Sequence, residues 1–160
     1  MNGLSITAEC PDRPPASALL ARYYDELAAR FPGGPAAFQL DLIAASTAEF
    51  TPPLGAFLLA RLDGRAVGCG AVRTLEADVA EIKRMWVDPA ARGRGIGRSL
   101  LAALERTAAE SGAATVRLDT AAYLTEALPL YRSAGYSEIA AYNDNPYAAH
   151  WLQKRLPGAG

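Results

Sequence analysis

Apolar positions recur along the chain with two different periods, and the changes of period divide it into strands and helices. Leu4 to Cys10 alternates as a strand does, and a cluster of prolines follows it. From Ala16 to Phe31 large apolar residues recur every three or four positions, which predicts an amphipathic helix that ends at the Pro-Gly-Gly-Pro stretch. The pattern also predicts a second helical piece from about Ala36 to Ala48.

The middle of the chain has the pattern of a three-stranded antiparallel meander. Ala56 to Leu62 and Arg65 to Arg73 are predicted strands, and Asp63-Gly64 between them is a strong hairpin signal. Val79 to Val87 is predicted as the third strand, after a turn near Glu76 to Asp78.

The second half of the chain alternates between strand and helix patterns. A helical stripe runs from Ile96 to Ala108 and stops at Ser111-Gly112, and a short strand follows from Thr115 to Asp119. This strand is expected to lie parallel to Val79 to Val87, because strand-helix-strand crossovers of this length pack that way. The remaining predictions are a helix over Thr125 to Ala134 and closing strands over Tyr136 to Ala140 and His150 to Leu156.

Composition narrows the class of protein. At 160 residues the chain is expected to form one domain over residues 1–160, and its net charge of -1 argues against broad binding to nucleic acid or anionic membranes. Cys10 and Cys69 fit neither a disulfide framework nor a metal cluster, so no metal is expected. The chain shows neither a signal-peptide pattern nor a membrane-spanning run, which favours a cytoplasmic location.

The stretch from Val87 to Leu101, VDPAARGRGIGRSLL, has the pattern of a phosphate site. Gly93, Gly95 and Gly97 lie between a predicted strand and a predicted helix, where their amides can approach an anion closely. The first turn of a helix leaves its N–H groups unpaired and carries a partial positive charge. Arginines beside the glycines add guanidinium groups suited to phosphate oxygens.

Two other phosphate-binding motifs fit this stretch poorly. A Walker loop needs GxxxxGK followed by Ser or Thr, and that string is absent from the sequence. The Rossmann fingerprint GxGxxG fails because Arg98 stands in place of its third glycine, although Asp119 lies at a suitable distance downstream.

The stretch resembles the acetyl-CoA signature of the GNAT N-acetyltransferase superfamily, VxPxxRGxGIG. Seven positions match, namely Val87, Pro89, Arg92, Gly93, Gly95, Ile96 and Gly97. The resemblance implies an α/β fold of the α+β type, in which a mixed, mostly antiparallel sheet of six to seven strands is flanked by helices and splayed between its fourth and fifth strands. It also implies acetyl-CoA as co-substrate, a small-molecule or peptide amine as acceptor, and a homodimer as in many relatives.

The same resemblance implies which residues hold the cofactor. The pantetheine arm would lie in the gap between the fourth and fifth strands, along the main chain of Met85 to Val87, where a backbone N–H would also polarise the thioester carbonyl. The implied cofactor-binding residues are Met85, Trp86, Val87, Arg92, Gly93, Arg94, Gly95, Ile96, Gly97, Arg98 and Ser99.

Two catalytic residues follow from the family pattern. Glu81 aligns with a glutamate that serves as general base in several relatives, and a solvent-facing residue paired with Lys83 is the alternative. Tyr131 matches the tyrosine of the LYxxxGF pattern, which donates a proton to the leaving thiolate, and a core tyrosine is the alternative. Leu124 stands where many relatives have Asn or Gln, so a cofactor hydrogen bond often made there is not expected.

The acceptor is not specified by the sequence. Asp119 is a candidate to pair with a cationic acceptor or to act as a second base, and a turn-capping aspartate is the alternative. Asn143 and Tyr147 are candidate substrate contacts in the loop YNDNPYAAH, whereas His150 is expected to be structural. The rival to an acetyltransferase is a non-catalytic acyl-CoA-binding or regulatory module.

Overall fold

A seven-stranded sheet organises the computed structural model, which describes residues 3–40 and 47–158. The strand order is β1-β2-β3-β4-β5-β7-β6, and only β4 and β5 pair in parallel. The strands are β1 (Leu4–Ala8), β2 (Gly55–Leu62), β3 (Arg65–Glu76), β4 (Val79–Val87), β5 (Thr115–Thr120), β6 (Ser137–Ile139) and β7 (His150–Arg155). The α-helices are α1 (Ala16–Arg30), α2 (Ile96–Glu110) and α3 (Ala127–Ser133), with short 3-10 turns at Pro35–Ala37, Thr47–Phe50 and Pro89–Ala91.

Apolar side chains are buried on both faces of the sheet. On one face α2 packs on β2, β3 and β4, and Leu100, Leu104, Val116 and Leu118 belong to that core. On the other face α1 packs on β2, β3 and the end of β4. The mixed sheet and its flanking helices confirm the predicted fold class.

The hairpin and the crossover form where the sequence predicts them. Asp63 (φ 52°) and Gly64 (φ 83°) both adopt left-handed backbone angles, as a two-residue turn between twisted antiparallel strands requires. The segment β4-α2-β5 brings β5 alongside β4 in parallel, because the intervening helix carries the chain back across the sheet.

Strands β4 and β5 pair only at their beginnings. The three registered pairs are Val79 with Thr115, Ala80 with Val116 and Glu81 with Arg117. Beyond Glu81 the two strands separate, as the predicted splay requires, and a gap opens through the sheet.

A bulge in β4 shapes one wall of this gap. Arg84 has φ 58°, and the register with β3 shifts between Cys69 and Ala71. Lys83 pairs with Ala71, which belongs to the core under α1, and the Arg84 guanidinium lies 5.5 Å from the centre of the Phe50 ring in the same core. Two consecutive basic residues therefore lie on the α1 face of the sheet.

The prediction of a helical piece from about Ala36 to Ala48 is wrong at Phe38, where the 3-10 turn Pro35–Ala37 ends. Phe38 has extended backbone angles (φ −80°, ψ 126°), and Gln39 donates its backbone N–H to the Tyr147 hydroxyl at 2.8 Å. This hydrogen bond and the packing of Phe38 on Phe31 and Tyr147 stabilise a non-helical path. Residues 41–46 of the predicted helix lie outside the described residues.

Other predicted boundaries move by a few residues. Strand β3 continues to Glu76, three residues beyond the predicted end, and α3 begins at Ala127 rather than Thr125. No helix among the described residues is both long and apolar enough to cross a membrane.

Candidate active site

A cavity of about 420 Å³ lies where β4 and β5 separate. One end is lined by Gly93, Gly95 and Gly97 before and within the start of α2, and the other end reaches Tyr23 and Leu27 of α1. The opening therefore passes through the sheet and joins its two faces.

The glycine turn at the first end leaves donors facing outward. Gly93 (φ 82°) and Gly95 (φ 78°) both take left-handed angles, and Gly95 is the N-cap of α2. The first bond of the helix is from Ser99 N–H to the Gly95 carbonyl, so the amides of residues 96–98 precede the helical ladder. A Cβ placed on Gly93 or Gly95 would meet no atom within 4 Å, so the space before the turn is open to an anion.

The three arginines of the turn differ in their contacts. Arg92 donates to both carboxylate oxygens of Glu26 at 2.9 and 2.8 Å and to the Val87 carbonyl at 3.0 Å. Arg98 lines the cavity and donates to the Ser133 hydroxyl at 2.9 Å, whereas Arg94 is exposed. Of the three arginines, Arg92 is therefore the one whose guanidinium is already hydrogen-bonded to a carboxylate.

Not all of the cofactor-binding residues predicted from the sequence reach the cavity. The lining includes Met85, Trp86, Val87, Arg92, Gly93, Gly95, Gly97 and Arg98. Ile96 is 1% exposed and packs in the core beneath the turn, and neither Arg94 nor Ser99 is part of the described lining.

Tyr131 lies in the cavity wall on α3. It is 7% exposed and packs edge-on against Tyr136, with ring centres 5.9 Å apart. Burial raises the pKa of the Tyr131 hydroxyl above its ordinary value, and the charges of Asp119 and Glu126 raise it further. The phenol is therefore protonated at neutral pH and lies in the wall of the cavity.

Glu81 lies behind the cavity wall. Its side chain is 1% exposed; Oε1 accepts from Arg73 at 2.8 Å and lies 3.7 Å from the Lys83 ammonium. Oε2 accepts from the Tyr142 hydroxyl at 2.7 Å, and burial together with the Glu81 charge raises the pKa of Tyr142. The described lining does not include Glu81.

Asp119 is the carboxylate at the β5 rim of the cavity. Asn143 donates to its Oδ2 at 2.6 Å, and Asn145 donates to its Oδ1 at 3.1 Å. Both asparagines belong to the loop between β6 and β7, and Asn145 also lines the cavity. Of the two loop residues singled out by the sequence, Asn143 therefore contacts Asp119, whereas Tyr147 has other partners.

Tyr147 also lines the cavity, near Asn145. Its ring stacks on Phe38 with centres 5.0 Å apart and meets Phe31 edge-on at 5.2 Å. Phe38 was missed by the sequence analysis because it was assigned to a helix, where no pattern singles it out.

A charged network at the cavity mouth was also missed. Arg30 at the end of α1 donates to Glu126 at 2.9 Å and to the Tyr123 carbonyl at 2.8 Å, and it pairs with Glu26 at 3.3 Å. The spacing of Glu26 and Arg30 predicts a helical ion pair, but nothing local connects either residue with Glu126.

His150 contacts another part of the structure. Its Nδ1 lies 3.1 Å from Glu138 on the neighbouring strand β6. Within residues 3–40 and 47–158 no group of His, Cys, Asp and Glu side chains forms a candidate metal site.

A mixed sheet that opens beside a glycine turn at a helix start defines the GNAT class of fold. Residues 19–136 match the family model described as the acetyltransferase (GNAT) family, and the chain belongs to this family.

Individual relatives agree with this assignment. An "IAA acetyltransferase" of Azospirillum brasilense is 42% identical over 92 residues, which are 57% of this chain and 59% of the relative. The chain thus spans about three fifths of that relative's length. A crystal structure from Klebsiella pneumoniae is assigned to the acyl-CoA N-acyltransferases. That chain is 31% identical to this one with a TM-score of 0.73, and the match covers 96% of this chain and 97% of that one.

A more distant crystal structure supports the fold alone. The GNAT acetyltransferase of Elizabethkingia anophelis with acetyl-CoA bound is 18% identical with TM-score 0.68. The match covers 98% of this chain and 100% of that one.

Proposed function

We propose that the protein transfers an acetyl group from acetyl-CoA to a primary amine by direct attack in a ternary complex. The observation that carries the proposal is the position of Tyr131, a buried phenol in the wall of a cavity that also contains the glycine turn. A proton donor and a site for an anion lie along one passage through the sheet. This arrangement suits acetyl-CoA, which has a thioester at one end and a pyrophosphate towards the other.

The glycine turn and the β4 edge suit the two ends of the cofactor. The outward amides of residues 96–98 and the Arg98 guanidinium would bind the pyrophosphate. Pairing of β4 with β5 stops at Glu81, so no backbone group of Met85 to Val87 bonds to β5, although the Val87 carbonyl accepts from Arg92 at 3.0 Å. The backbone along Met85 and Trp86 can bind the pantetheine amides as an additional strand would.

The proposed reaction needs three groups. The acceptor ammonium loses a proton to Glu81, through water or through the Tyr142 hydroxyl that donates to this carboxylate. The neutral amine attacks the thioester carbonyl, whose developing oxyanion accepts a hydrogen bond from a backbone N–H near Met85 to Val87. The C–N bond forms, the C–S bond breaks, and Tyr131 gives its proton to the departing thiolate.

The experiment is thiol release from acetyl-CoA with a panel of primary amines, in the parent and in Tyr131→Phe. Loss of a general acid is expected to lower kcat by about 100-fold or more while acetyl-CoA still binds. Tyr136→Phe is the matched control, because it removes a buried tyrosine hydroxyl that donates to Glu105 at 2.8 Å outside the cavity lining. Equal kcat in the parent and Tyr131→Phe would contradict the role of Tyr131.

The same assay separates the rival function. Acetyl-CoA binding without thiol release for any amine would identify a non-catalytic acyl-CoA-binding or regulatory module. The homodimer and the cytoplasmic location stay predictions, to be measured by size-exclusion chromatography and cell fractionation.

A further inference from the structure

Three carboxylates line the described cavity, and they differ in their partners. Glu26 pairs with Arg92 and Arg30, and Glu126 pairs with Arg30 at 2.9 Å. Asp119 has no ion pair within the part of the chain that the structure describes, and both of its oxygens are held by neutral amides. Asp119 is therefore the lining carboxylate whose charge is left for a cation.

The orientation of the Asn143 and Asn145 side-chain amides follows from neighbouring groups that can only donate a hydrogen bond. The Trp151 indole N–H can only donate, and it points to Asn143 Oδ1 at 2.9 Å, so the Asn143 NH₂ group faces Asp119. The backbone N–H of Tyr147 likewise points to Asn145 Oδ1 at 3.0 Å. Each Asp119 oxygen accepts one amide hydrogen bond and keeps a further lone pair for a ligand.

A cation stands across the gap from Asp119. Glu81 and Arg117 are the last registered pair of β4 and β5, so Lys83 and Asp119 each lie two residues farther along the separating strands. Alternation puts both side chains on the face of Glu81 and Arg117, and both line the cavity. A negatively charged group of the acceptor would therefore bind at the β4 rim, and a positively charged group would bind at the β5 rim.

The Lys83 ammonium has donors to spare. It lies 3.7 Å from Glu81, close enough for an ion pair but too far for a hydrogen bond. Among the described residues Lys83 has no other ion pair and no side-chain hydrogen bond. Arg84 adds a second positive charge to the same wall and is oriented by the Tyr24 hydroxyl at 2.8 Å. This rim of the cavity is suited to a carboxylate.

We propose that the acceptor is a free amino acid, whose ammonium lies at Asp119 and whose carboxylate lies at Lys83. The remainder of the molecule would pack against the stacked rings of Phe38 and Tyr147, which line the same end of the cavity. A polypeptide N-terminus has a neutral amide where the free amino acid has its carboxylate, so it lacks the group that Lys83 binds. The inference rests on the proposed acetyl transfer.

The experiment compares acceptors that differ only by the carboxylate. Thiol release is measured with the standard α-amino acids and with the corresponding amines that lack it, such as phenylalanine and 2-phenylethylamine. The favoured amino acid is expected to exceed its amine by about 10- to 100-fold in kcat/KM, as a hydrogen-bonded charge contributes. Lys83→Met should remove this preference, through a raised KM for the amino acid, so that the amino acid and its amine are acetylated about equally well, whereas Lys83→Arg should largely retain it.

The chain offers a matched control for this lysine. Lys154 donates to Glu105 at 3.0 Å outside the cavity lining, and Lys154→Met should leave the preference unchanged. Amines acetylated as well as their amino acids, or Lys83→Met lowering both alike, would overturn the inference and leave the proposed function standing. Acetyl-CoA binding with no thiol release for any acceptor would overturn both.

Discussion

The Glu26 carboxylate on α1 accepts two hydrogen bonds from the Arg92 guanidinium of the glycine turn, at 2.9 and 2.8 Å. The Trp86 indole donates to the same carboxylate at 3.1 Å. Burial alone would raise the pKa of Glu26, but the hydrogen bonds from Arg92 and Trp86 outweigh it and hold this pKa below its ordinary value. Glu26 therefore connects α1, β4 and the turn that is proposed to bind phosphate.

The first prediction concerns this connection. Glu26→Gln and Arg92→Met are each expected to lower the free energy of unfolding by about 1–3 kcal/mol, because a charged hydrogen-bonded pair is broken. A domain of this size should lose about 2–4 °C in Tm per kcal/mol. Urea unfolding of both single variants and the double variant gives the coupling, which should be about 1 kcal/mol or more.

The pH dependence gives a second reading of the same pair. A carboxyl whose folded pKa is lowered contributes stability above its unfolded pKa and loses it as pH falls through the folded pKa. The difference between the parent and Glu26→Gln should thus narrow as the pH falls below about 4.5, the ordinary pKa of a glutamate. Glu110→Gln, at an exposed position, should change stability by less than about 0.5 kcal/mol, and additive single variants would contradict the coupling.

The second prediction tests the glycine turn with two glycines of similar conformation. Gly95 (φ 78°) precedes α2 and Gly112 (φ 96°) follows it, and a Cβ at either would meet no atom within 4 Å. Alanine at each should therefore cost about 1–2 kcal/mol of stability through the left-handed backbone alone. Only Gly95→Ala should raise KM for acetyl-CoA, by about tenfold or more, because its methyl group enters the space before the outward amides.

Steady-state kinetics with acetyl-CoA and thermal melting of both variants provide the measurement. Equal loss of Tm with a raised KM only in Gly95→Ala is the expected result. A KM for acetyl-CoA in Gly95→Ala equal to that of Gly112→Ala would show that the turn does not contact the cofactor.

Short sequence patterns predicted much of this fold and part of its candidate site. The alternation of apolar and polar residues predicted the strands on either side of Asp63-Gly64. The spacing of the glycines predicted the outward amides before α2. These features depend on neighbouring residues, whose conformational preferences are legible in the sequence. Tyr131 was singled out instead by the family pattern LYxxxGF, and it lies on a short helix followed by Gly135.

Long-range contacts account for what was missed. Glu26 and Arg92 are 66 residues apart, and Arg30 and Glu126 are 96 apart, so no periodicity connects them. Phe38 leaves the predicted helix because its ring packs on Tyr147, more than a hundred residues later in the chain. Tertiary packing outweighed a helical pattern that was weak in itself.

The last prediction concerns the proposed base, which reaches the acceptor only through another group. Glu81 accepts from the Tyr142 hydroxyl at 2.7 Å and is absent from the described cavity lining. If Tyr142 passes the proton, Glu81→Gln and Tyr142→Phe should each lower kcat by about 100-fold, and the double variant should lose little more. Because the acceptor amine becomes neutral on its own at high pH, the deficit should shrink towards about pH 10.

The chain contains a matched pair for this test. Glu105 accepts from the Tyr136 hydroxyl at 2.8 Å and from Lys154 at 3.0 Å, outside the cavity lining, much as Glu81 has Tyr142 and Lys83 beside it. Glu105→Gln and Tyr136→Phe should lower Tm but leave kcat within about threefold. A normal kcat in Tyr142→Phe beside a low one in Glu81→Gln would assign the transfer to water. A deficit in Glu81→Gln that does not change with pH would show that this carboxylate only holds Arg73 and Lys83 in place.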